Sequence, residues 1–175
     1  MNILSIKQAL AESAQLRLVS DSPELDTQLL LEQVLEKPLS YLYTWPERQL
    51  SEQQQVTFLA LIKRRVAGEP VAHILGCRDF WTLSLEVNAS TLIPRPDTER
   101  LVELALERLE DGCFQVADLG TGTGAIALAL ASERPRWRVY AVDRVDAAVN
   151  LARRNQQRLK LDNVQLLCGS WCEPL

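Results

Sequence analysis

The feature that most constrains the fold of this chain is a group of glycines directly after a short apolar run. Val116 to Leu119 has the pattern of a buried strand, and Gly120, Gly122 and Gly124 follow it immediately. Residues 125–133 then have the composition of a helix, which ends before Pro135. Glycine permits positive φ and lets a ligand approach without meeting a Cβ atom. A strand, a glycine loop and a helix in this order indicate the ligand-binding corner of a doubly wound α/β fold.

Helices and strands alternate over the second half of the chain, from Asp97 onward. Apolar residues at helical spacing predict a helix over residues 101–109, which Gly112 interrupts. A second strand is predicted over residues 139–142, a long helix over residues 145–160 and a third strand over residues 164–168. Strands that alternate with helices pair in parallel through right-handed crossovers. We therefore expect a Rossmann-like parallel sheet.

Residues 1–70 have a helical pattern instead. The first predicted helix has an apolar side formed by Leu4, Ile6, Leu10 and Leu16. Ser22-Pro23 predicts the start of a second helix, with a capping hydroxyl followed by proline at the first helical position. The apolar side of this second helix is predicted to consist of Leu25, Leu29, Leu30, Val34 and Leu35.

A third helix is predicted to begin at Ser51, where Gln54 completes a capping box, and to end at Gly68. Its expected inward-facing residues are Val56, Leu59, Ala60 and Ile62. Because these seventy residues contain no catalytic group of residues, we expect a small helical bundle that recognises or packs against another molecule.

Between these two parts, the apolar period becomes that of a strand. Leu83, Leu85 and Val87 alternate with polar residues, and Pro94 and Pro96 end the extended stretch. The sequence therefore predicts a helical domain over residues 1–70, a hairpin linker over residues 71–96 and an α/β domain over residues 97–175.

Composition and charge exclude several classes of protein. The 175 residues carry 19 Lys and Arg against 23 Asp and Glu, a formal charge of −4, which argues against direct binding of nucleic acid. Apolar runs fall well short of the ~20 residues that a membrane span needs, and the start lacks a secretory pattern, so a cytoplasmic location is expected. Four cysteines without a Cys-x-x-Cys pair, and one histidine, predict neither a metal site nor disulfides.

Two cofactors fit the glycine loop. Gly120-x-Gly122-x-x-Ala125 satisfies the relaxed dinucleotide fingerprint, and Asp143, at the end of the next strand, is placed to reach the ribose of NAD or of another adenosine ligand. Asp118, beside the loop, favours S-adenosylmethionine, because a carboxylate suits an ammonium group and repels a pyrophosphate. The glycines alone leave both cofactors possible.

Four stretches carry a family resemblance. Residues 118–128 (DLGTGTGAIAL) resemble the first motif of the class I methyltransferases. Arg64-Arg65-x-x-Gly68-Glu69-Pro70-x-Ala72-His73-Ile74, Arg78-Asp79-Phe80-Trp81 and Leu92-Ile93-Pro94-Arg95-Pro96-Asp97-Thr98-Glu99 are similar to signatures of the PrmC/HemK family. These are the peptide chain release factor glutamine methyltransferases, and the resemblance covers nearly the whole chain.

The resemblance implies a fold, a reaction and a set of site residues. It implies a helical domain, a hairpin linker and the first half of a class I methyltransferase domain. The implied reaction transfers the methyl group of S-adenosylmethionine to the side-chain amide of the glutamine in the Gly-Gly-Gln loop of class I release factors. The implied cofactor-binding residues are Asp118, Gly120, Thr121, Gly122, Thr123, Gly124, Asp143 and Trp171. Ser170 stands where family members often have aspartate.

The family's catalytic Asn-Pro-Pro-Tyr motif does not occur in the sequence. In the family this motif orients the amide lone pair toward the methyl group, so no catalytic residue is assigned here. We expect a truncated form of the enzyme that is inactive by itself. A noncatalytic protein that binds S-adenosylmethionine or a release factor, a methyltransferase acting on adenine in DNA and an NAD oxidoreductase remain as alternatives.

A few conspicuous residues carry weaker expectations. His73 is expected to make a structural hydrogen bond, and Arg95 and Glu99 are expected to shape the floor of the site without an assigned step. The tryptophans at positions 45, 81 and 137 are expected to pack in cores.

Overall fold

The computed structural model describes residues 3–109 and 112–175. The chain divides into two compact units, one ending at Leu75 and the other beginning at Gly76. The predicted linker is divided between them, because residues 71–75 belong to the first unit and the hairpin belongs to the second.

The first unit is helical within its described residues. Its elements are α1 (Ile6–Ala11), a 3₁₀ helix (Glu12–Leu16), α2 (Pro23–Leu35), α3 (Leu39–Thr44), α4 (Glu52–Val66) and α5 (Val71–Leu75). The short helices α3 and α5 were not predicted. The first predicted helix is correct only from Ile6, since Ser5 caps it there and the chain tightens into the 3₁₀ helix at Glu12.

Serine capping boxes mark the starts of α1 and α4 in this unit. The Ser51 hydroxyl accepts from the Gln54 amide and the Gln54 side chain accepts from the Ser51 amide, so the predicted capping box is confirmed. The helix predicted at Ser22-Pro23 does begin at Pro23, but the Ser22 side chain caps nothing.

The buried residues of the first unit differ in part from those predicted to form the apolar sides of its helices. The buried apolar residues are Ile6, Ala9, Leu16, Leu30, Leu31, Leu42, Leu50, Phe58, Ile62 and Ile74. Val56 and Ala60 were predicted to face inward but are exposed, as is Leu25. On α4 the buried residues are Gln55, Phe58 and Ile62, so the prediction for Ile62 is confirmed, whereas Gln55 and Phe58 were not predicted to face inward. The face is displaced because Gln55 turns inward to bind the Leu4 amide.

Polar groups of the first unit are paired with one another. Arg65 Nε donates to Asp26 Oδ2 at 2.7 Å, and both side chains are largely buried. The same carboxylate oxygen accepts from the Ser20 hydroxyl. Arg64 closes the end of α4 by pairing with Glu69, at 2.7 Å between Nε and Oε2. The Arg64-Arg65 and Glu69 positions of the family-like motif thus have structural roles here.

The second unit begins with a hairpin and continues as a three-stranded parallel sheet. Strands β1 (Cys77–Phe80) and β2 (Leu83–Glu86) are antiparallel. A 3₁₀ turn (Pro96–Thr98), α6 (Glu99–Arg108), β3 (Gln115–Leu119), α7 (Ala125–Glu133), β4 (Arg138–Asp143), α8 (Asp146–Leu159) and β5 (Val164–Cys168) follow. The sheet order is β3-β4-β5 with all pairs parallel, which confirms the predicted α/β class.

The helix after the glycine loop forms the centre of this unit. Ala127 to Ala131 in α7 are almost completely buried, together with Val139 and Ala141 of β4. Trp137 is buried as predicted, whereas Trp45 in the first unit is 55% exposed, contrary to the prediction. The packing brings the carboxyl ends of β3, β4 and β5 to one edge of the sheet, where the glycine loop lies.

A search of the described residues finds no helix long and apolar enough to cross a membrane.

Candidate functional site

The glycine loop depends on backbone conformations that other residues rarely adopt. Gly120, Gly122 and Gly124 have φ of 84°, 56° and 85°. A Cβ atom at Gly124 would lie 3.0 Å from Leu128 Cδ1 and 3.3 Å from Ala152 Cβ, whereas one at Gly120 would meet nothing within 4 Å. Gly124 is therefore required for both conformation and space, and Gly120 for conformation alone.

Asp118 holds the loop from the end of β3. Its Oδ2 accepts from the Thr121 hydroxyl at 2.7 Å and from the Ala127 amide at 3.2 Å. Helix α7 has no side-chain cap from its own N-cap residue, Gly124, so Asp118 supplies the missing acceptor from a distance in sequence. Burial raises the pKa of Asp118, which outweighs the two hydrogen bonds; the nearby charge of Asp143 raises it further.

Asp143 holds the loop from the other side, at the end of β4. Its Oδ2 accepts from the Gly122 amide at 2.9 Å, and its Oδ1 accepts from the Val145 amide at 3.0 Å. The two carboxylates thus fix the loop between β3 and β4 from the protein's own groups.

Most of the backbone amides of the loop are already occupied. Gly120 and Thr121 donate to the Val142 carbonyl, and Gly124 donates to the Thr121 carbonyl. Gly122 and Ala127 donate to the carboxylates of Asp143 and Asp118. In anion-binding loops these amides point at the ligand phosphate. Here they bind internal acceptors, two of which are negatively charged.

Two cavities adjoin the loop. Cavity A, of about 320 Å³, is lined by Leu119, Gly120, Val142, Asp143, Arg144, Gly169, Ser170 and Trp171. Trp171 is 75% exposed and adopts a positive φ of 49°, which places it at the cavity after β5. Cavity A is an open cleft at the carboxyl ends of the three strands, the usual ligand position in such sheets.

Cavity B, of about 570 Å³, lies against the glycine loop as well. One wall is the segment that follows the hairpin, residues 90–95, with Thr98. The remaining lining comes from the loop, Asp143 and the start of α7 and α8, namely Gly120 to Thr123, Ala125, Ile126, Val145 and Ala148. Gly120 and Asp143 line both cavities, so the loop separates two parts of one larger site.

The predicted site residues are distributed unevenly over these cavities. Thr121, Gly122 and Thr123 line cavity B, and Trp171 lines cavity A. Asp118 and Gly124 line neither, since Asp118 lies behind the loop and Gly124 packs against Leu128.

Arg95, Glu99 and His73, for which no catalytic step was predicted, lie in different parts of the structure. Arg95 lines cavity B. Glu99 instead accepts from the Trp81 amide at 2.8 Å, which fixes the turn of the hairpin. His73 lies in the first unit, and its buried Nε2 has no hydrogen-bond partner among the described residues. The expected structural hydrogen bond is therefore not made through that nitrogen.

Sequence reasoning missed two contributors to this region. Arg144 lines cavity A directly after Asp143. Asn155, fully buried in α8, binds the loop and the hairpin. Arg144 was detectable by its position beside the predicted ribose carboxylate; Asn155 had no local signal. The described residues contain no group of histidine, cysteine or carboxylate side chains placed to bind a metal ion.

Two family models match the chain. A model described as the PrmC N-terminal domain matches residues 8–76, and one described as a methyltransferase domain matches residues 110–175.

Curated relatives named release factor glutamine methyltransferase match most of the chain. The Aliivibrio fischeri protein is 52% identical over 98% of this chain and 61% of its own length. The Coxiella burnetii protein is 48% identical over 99% and 63%, and the Pseudomonas aeruginosa protein is 58% identical over 89% and 56%. The chain thus spans between half and two thirds of the length of these relatives.

Proposed function

We propose that this chain, which is similar to proteins named release factor glutamine methyltransferase and matches models of a PrmC N-terminal domain and a methyltransferase domain, binds S-adenosylmethionine in cavities A and B. We propose further that it serves methyl transfer to the side-chain amide of the glutamine in the Gly-Gly-Gln loop of class I release factors.

The observation that carries the choice of cofactor is that the amides of the loop and of the first turn of α7 are already bound, by the Val142 and Thr121 carbonyls and by the carboxylates of Asp143 and Asp118. A pyrophosphate, as in NAD, would need those amides and would meet two carboxylates. S-adenosylmethionine carries a sulfonium and an ammonium group, which the same carboxylates attract. The charge of the site therefore favours S-adenosylmethionine, although the glycine spacing fits either cofactor.

The proposed placement follows the cavities. Asp143 lines both of them, and its oxygens retain lone pairs for the ribose hydroxyls. Trp171 in cavity A is assigned to the adenine ring, and the loop from Gly120 to Gly124 is assigned to the methionine part. Asp118 is assigned an electrostatic role: its charge lies behind the loop and favours the ammonium group.

When bound, the cofactor supplies an electrophilic methyl group. The residues of this chain bind and orient it, and none is assigned to the acceptor amide. The sequence contains no Asn-Pro-Pro-Tyr segment to orient an amide.

For the helical unit we propose a role in holding the release factor. Its exposed aromatic residues include Tyr43 and Trp45, which are 63% and 55% exposed. Tyrosine and tryptophan are enriched among residues that dominate binding interfaces. Titration of a class I release factor into the chain tests this role: Trp45→Ala should weaken binding about tenfold, whereas Val56→Ala, at an exposed position of α4, should not. Equal affinities of all three proteins would leave the helical unit without the proposed role.

The experiment for the cofactor is a pair of calorimetric titrations of the 175-residue chain. We expect heat from S-adenosylmethionine and none from NAD. Asp143→Ala should weaken S-adenosylmethionine binding by about 1.5–3 kcal/mol, the range for hydrogen bonds to a charged group. Binding of NAD without binding of S-adenosylmethionine would reverse the assignment.

A further inference from the structure

The buried side chain of Asn155 connects two elements that are distant in sequence. Asn155 lies on α8 and is 0% exposed. Its Oδ1 accepts from the Glu86 amide at 2.7 Å, and its Nδ2 donates to the Glu86 carbonyl at 3.0 Å. The same Nδ2 donates to the Thr123 carbonyl at 3.0 Å. One amide therefore joins strand β2 of the hairpin to the glycine loop.

The hydrogen bond from Asn155 to Thr123 fixes the orientation of the peptide between Thr123 and Gly124, a peptide whose rotation glycine does not restrict. The carbonyl of the peptide between Thr123 and Gly124 binds Asn155, and its amide binds the Thr121 carbonyl. With both ends bound, this peptide holds one orientation beside cavity B, which Thr123 lines.

The contact to Glu86 fixes the opposite wall of the same cavity. Glu86 ends β2, and the chain then passes through buried Val87 to residues 90–95, which form the wall. Two neighbours of Asn155 reinforce the attachment. Arg154 binds the Glu86 carboxylate with Nη2 at 2.9 Å, and Arg158 donates to the Ser84 carbonyl. The hairpin is thus attached to α8 at the level of the glycine loop.

We infer that Asn155 is a positioning residue for cofactor binding, which holds the loop and the wall of cavity B in register. This inference rests on the proposed function, because it takes S-adenosylmethionine as the cofactor. It makes the hairpin a part of the cofactor site rather than only a connection between two domains.

The decisive variant is Asn155→Asp, which keeps the shape and the acceptor but loses the donor. At about pH 8 the new carboxylate faces two carbonyl oxygens, and we expect S-adenosylmethionine binding to weaken at least about tenfold. Burial beside two acceptors raises the pKa of such a carboxyl, while the Arg158 guanidinium, whose Nη2 lies 3.4 Å from Asn155 Oδ1, lowers it. The protonated form donates one hydrogen bond. We therefore expect affinity to recover at about pH 5. Asn150→Asp, the same change on the same helix with contacts only to Asp146 and Arg153, is the control.

Hydrogen exchange of the free chain separates this inference from the proposed cofactor. In Asn155→Asp, residues 120–124 should exchange at least about tenfold faster, with normal protection in β5. If Asn155→Asp does not fold at neutral pH, Asn155→Ala should show the same loss without recovery in acid. A variant with unchanged affinity and unchanged exchange overturns the inference. A wild-type chain that fails to bind S-adenosylmethionine overturns the proposed function, while the exchange data still decide the role of Asn155.

Discussion

The two units of the chain treat their carboxylates differently. In the helical unit, Asp26 is neutralised by Arg65 and also accepts from Ser20. In the α/β unit, Asp118 and Asp143 bind backbone amides and a hydroxyl, and neither forms an ion pair within the described part of the chain. A buried charge without a counter-ion is costly, and such groups concentrate at functional sites. The contrast supports our proposal that the binding chemistry lies in the second unit.

The units also differ in how their polypeptide geometry is secured. Serines directly before α1 and α4 cap these helices, so the sequence around each helix determines where it begins. The glycine loop instead takes its restraints from the ends of two separate strands and from α8. Local substitutions should therefore have local effects in the first unit, and loop substitutions should affect the whole second unit.

The largest effect on cofactor binding is expected from Gly124→Val. A side chain at φ 85° costs about 1–2 kcal/mol, and the contacts with Leu128 and Ala152 add about 1–3 kcal/mol of overpacking. We expect loss of S-adenosylmethionine binding while circular dichroism retains the helices of the first unit. Gly120→Ala, with open space around the added methyl group, should lose only the conformational part. Equal losses in both variants would contradict the packing role of Gly124.

Phe58→Ala tests whether the first unit is independent of cofactor binding. Phe58 is 0% exposed, and its truncation should cost about 3–5 kcal/mol of unfolding free energy. Below the melting temperature, S-adenosylmethionine affinity should remain unchanged. Val56→Ala on the same helix removes a side chain that is 61% exposed and should cost less than about 0.5 kcal/mol. A loss of cofactor affinity in Phe58→Ala would show that the contrast between the units is wrong.

Asp118→Asn tests whether the unpaired charge of Asp118 serves cofactor binding rather than stability. Since burial raises the pKa of Asp118 above 3.8, its contribution to stability is full below that pH and is lost as pH rises through the raised pKa. The asparagine oxygen accepts the same hydrogen bonds without charge. We expect the variant to match or exceed the wild-type melting temperature at about pH 7, with several-fold weaker S-adenosylmethionine binding. The difference in unfolding free energy between wild type and variant should become less favourable to the wild type as pH rises. If this difference instead favours the wild type more at neutral than at acid pH, the expected pH dependence is wrong.

The smallest effect concerns the helix caps. Ser51→Ala removes a capping box and should cost about 1 kcal/mol, measured by urea unfolding. Ser22→Ala is the matched change at a helix start where the serine caps nothing, and it should be nearly neutral. If Ser22→Ala costs as much as Ser51→Ala, the capping difference between the two helices is not real.

Sequence patterns predicted those parts that local chemistry determines. The bounds of α7 and β5 were predicted as they occur, because a glycine loop, a proline and an apolar run mark them. The outward position of Val56 was missed because Gln55 binds a backbone amide more than fifty residues away. The role of Asp118 as a cap for α7, and the bridge made by Asn155, also depend on partners brought together only by the fold.

The most direct test of the account is hydrogen exchange of the 175-residue chain with and without S-adenosylmethionine. We expect added protection at residues 118–124, at 143–145 and around Trp171, no change from Ile6 to Val66, and no added protection with NAD. Protection that appears in the helical unit, or at the loop with NAD and not with S-adenosylmethionine, would contradict the claim that the second unit is built for a cationic cofactor.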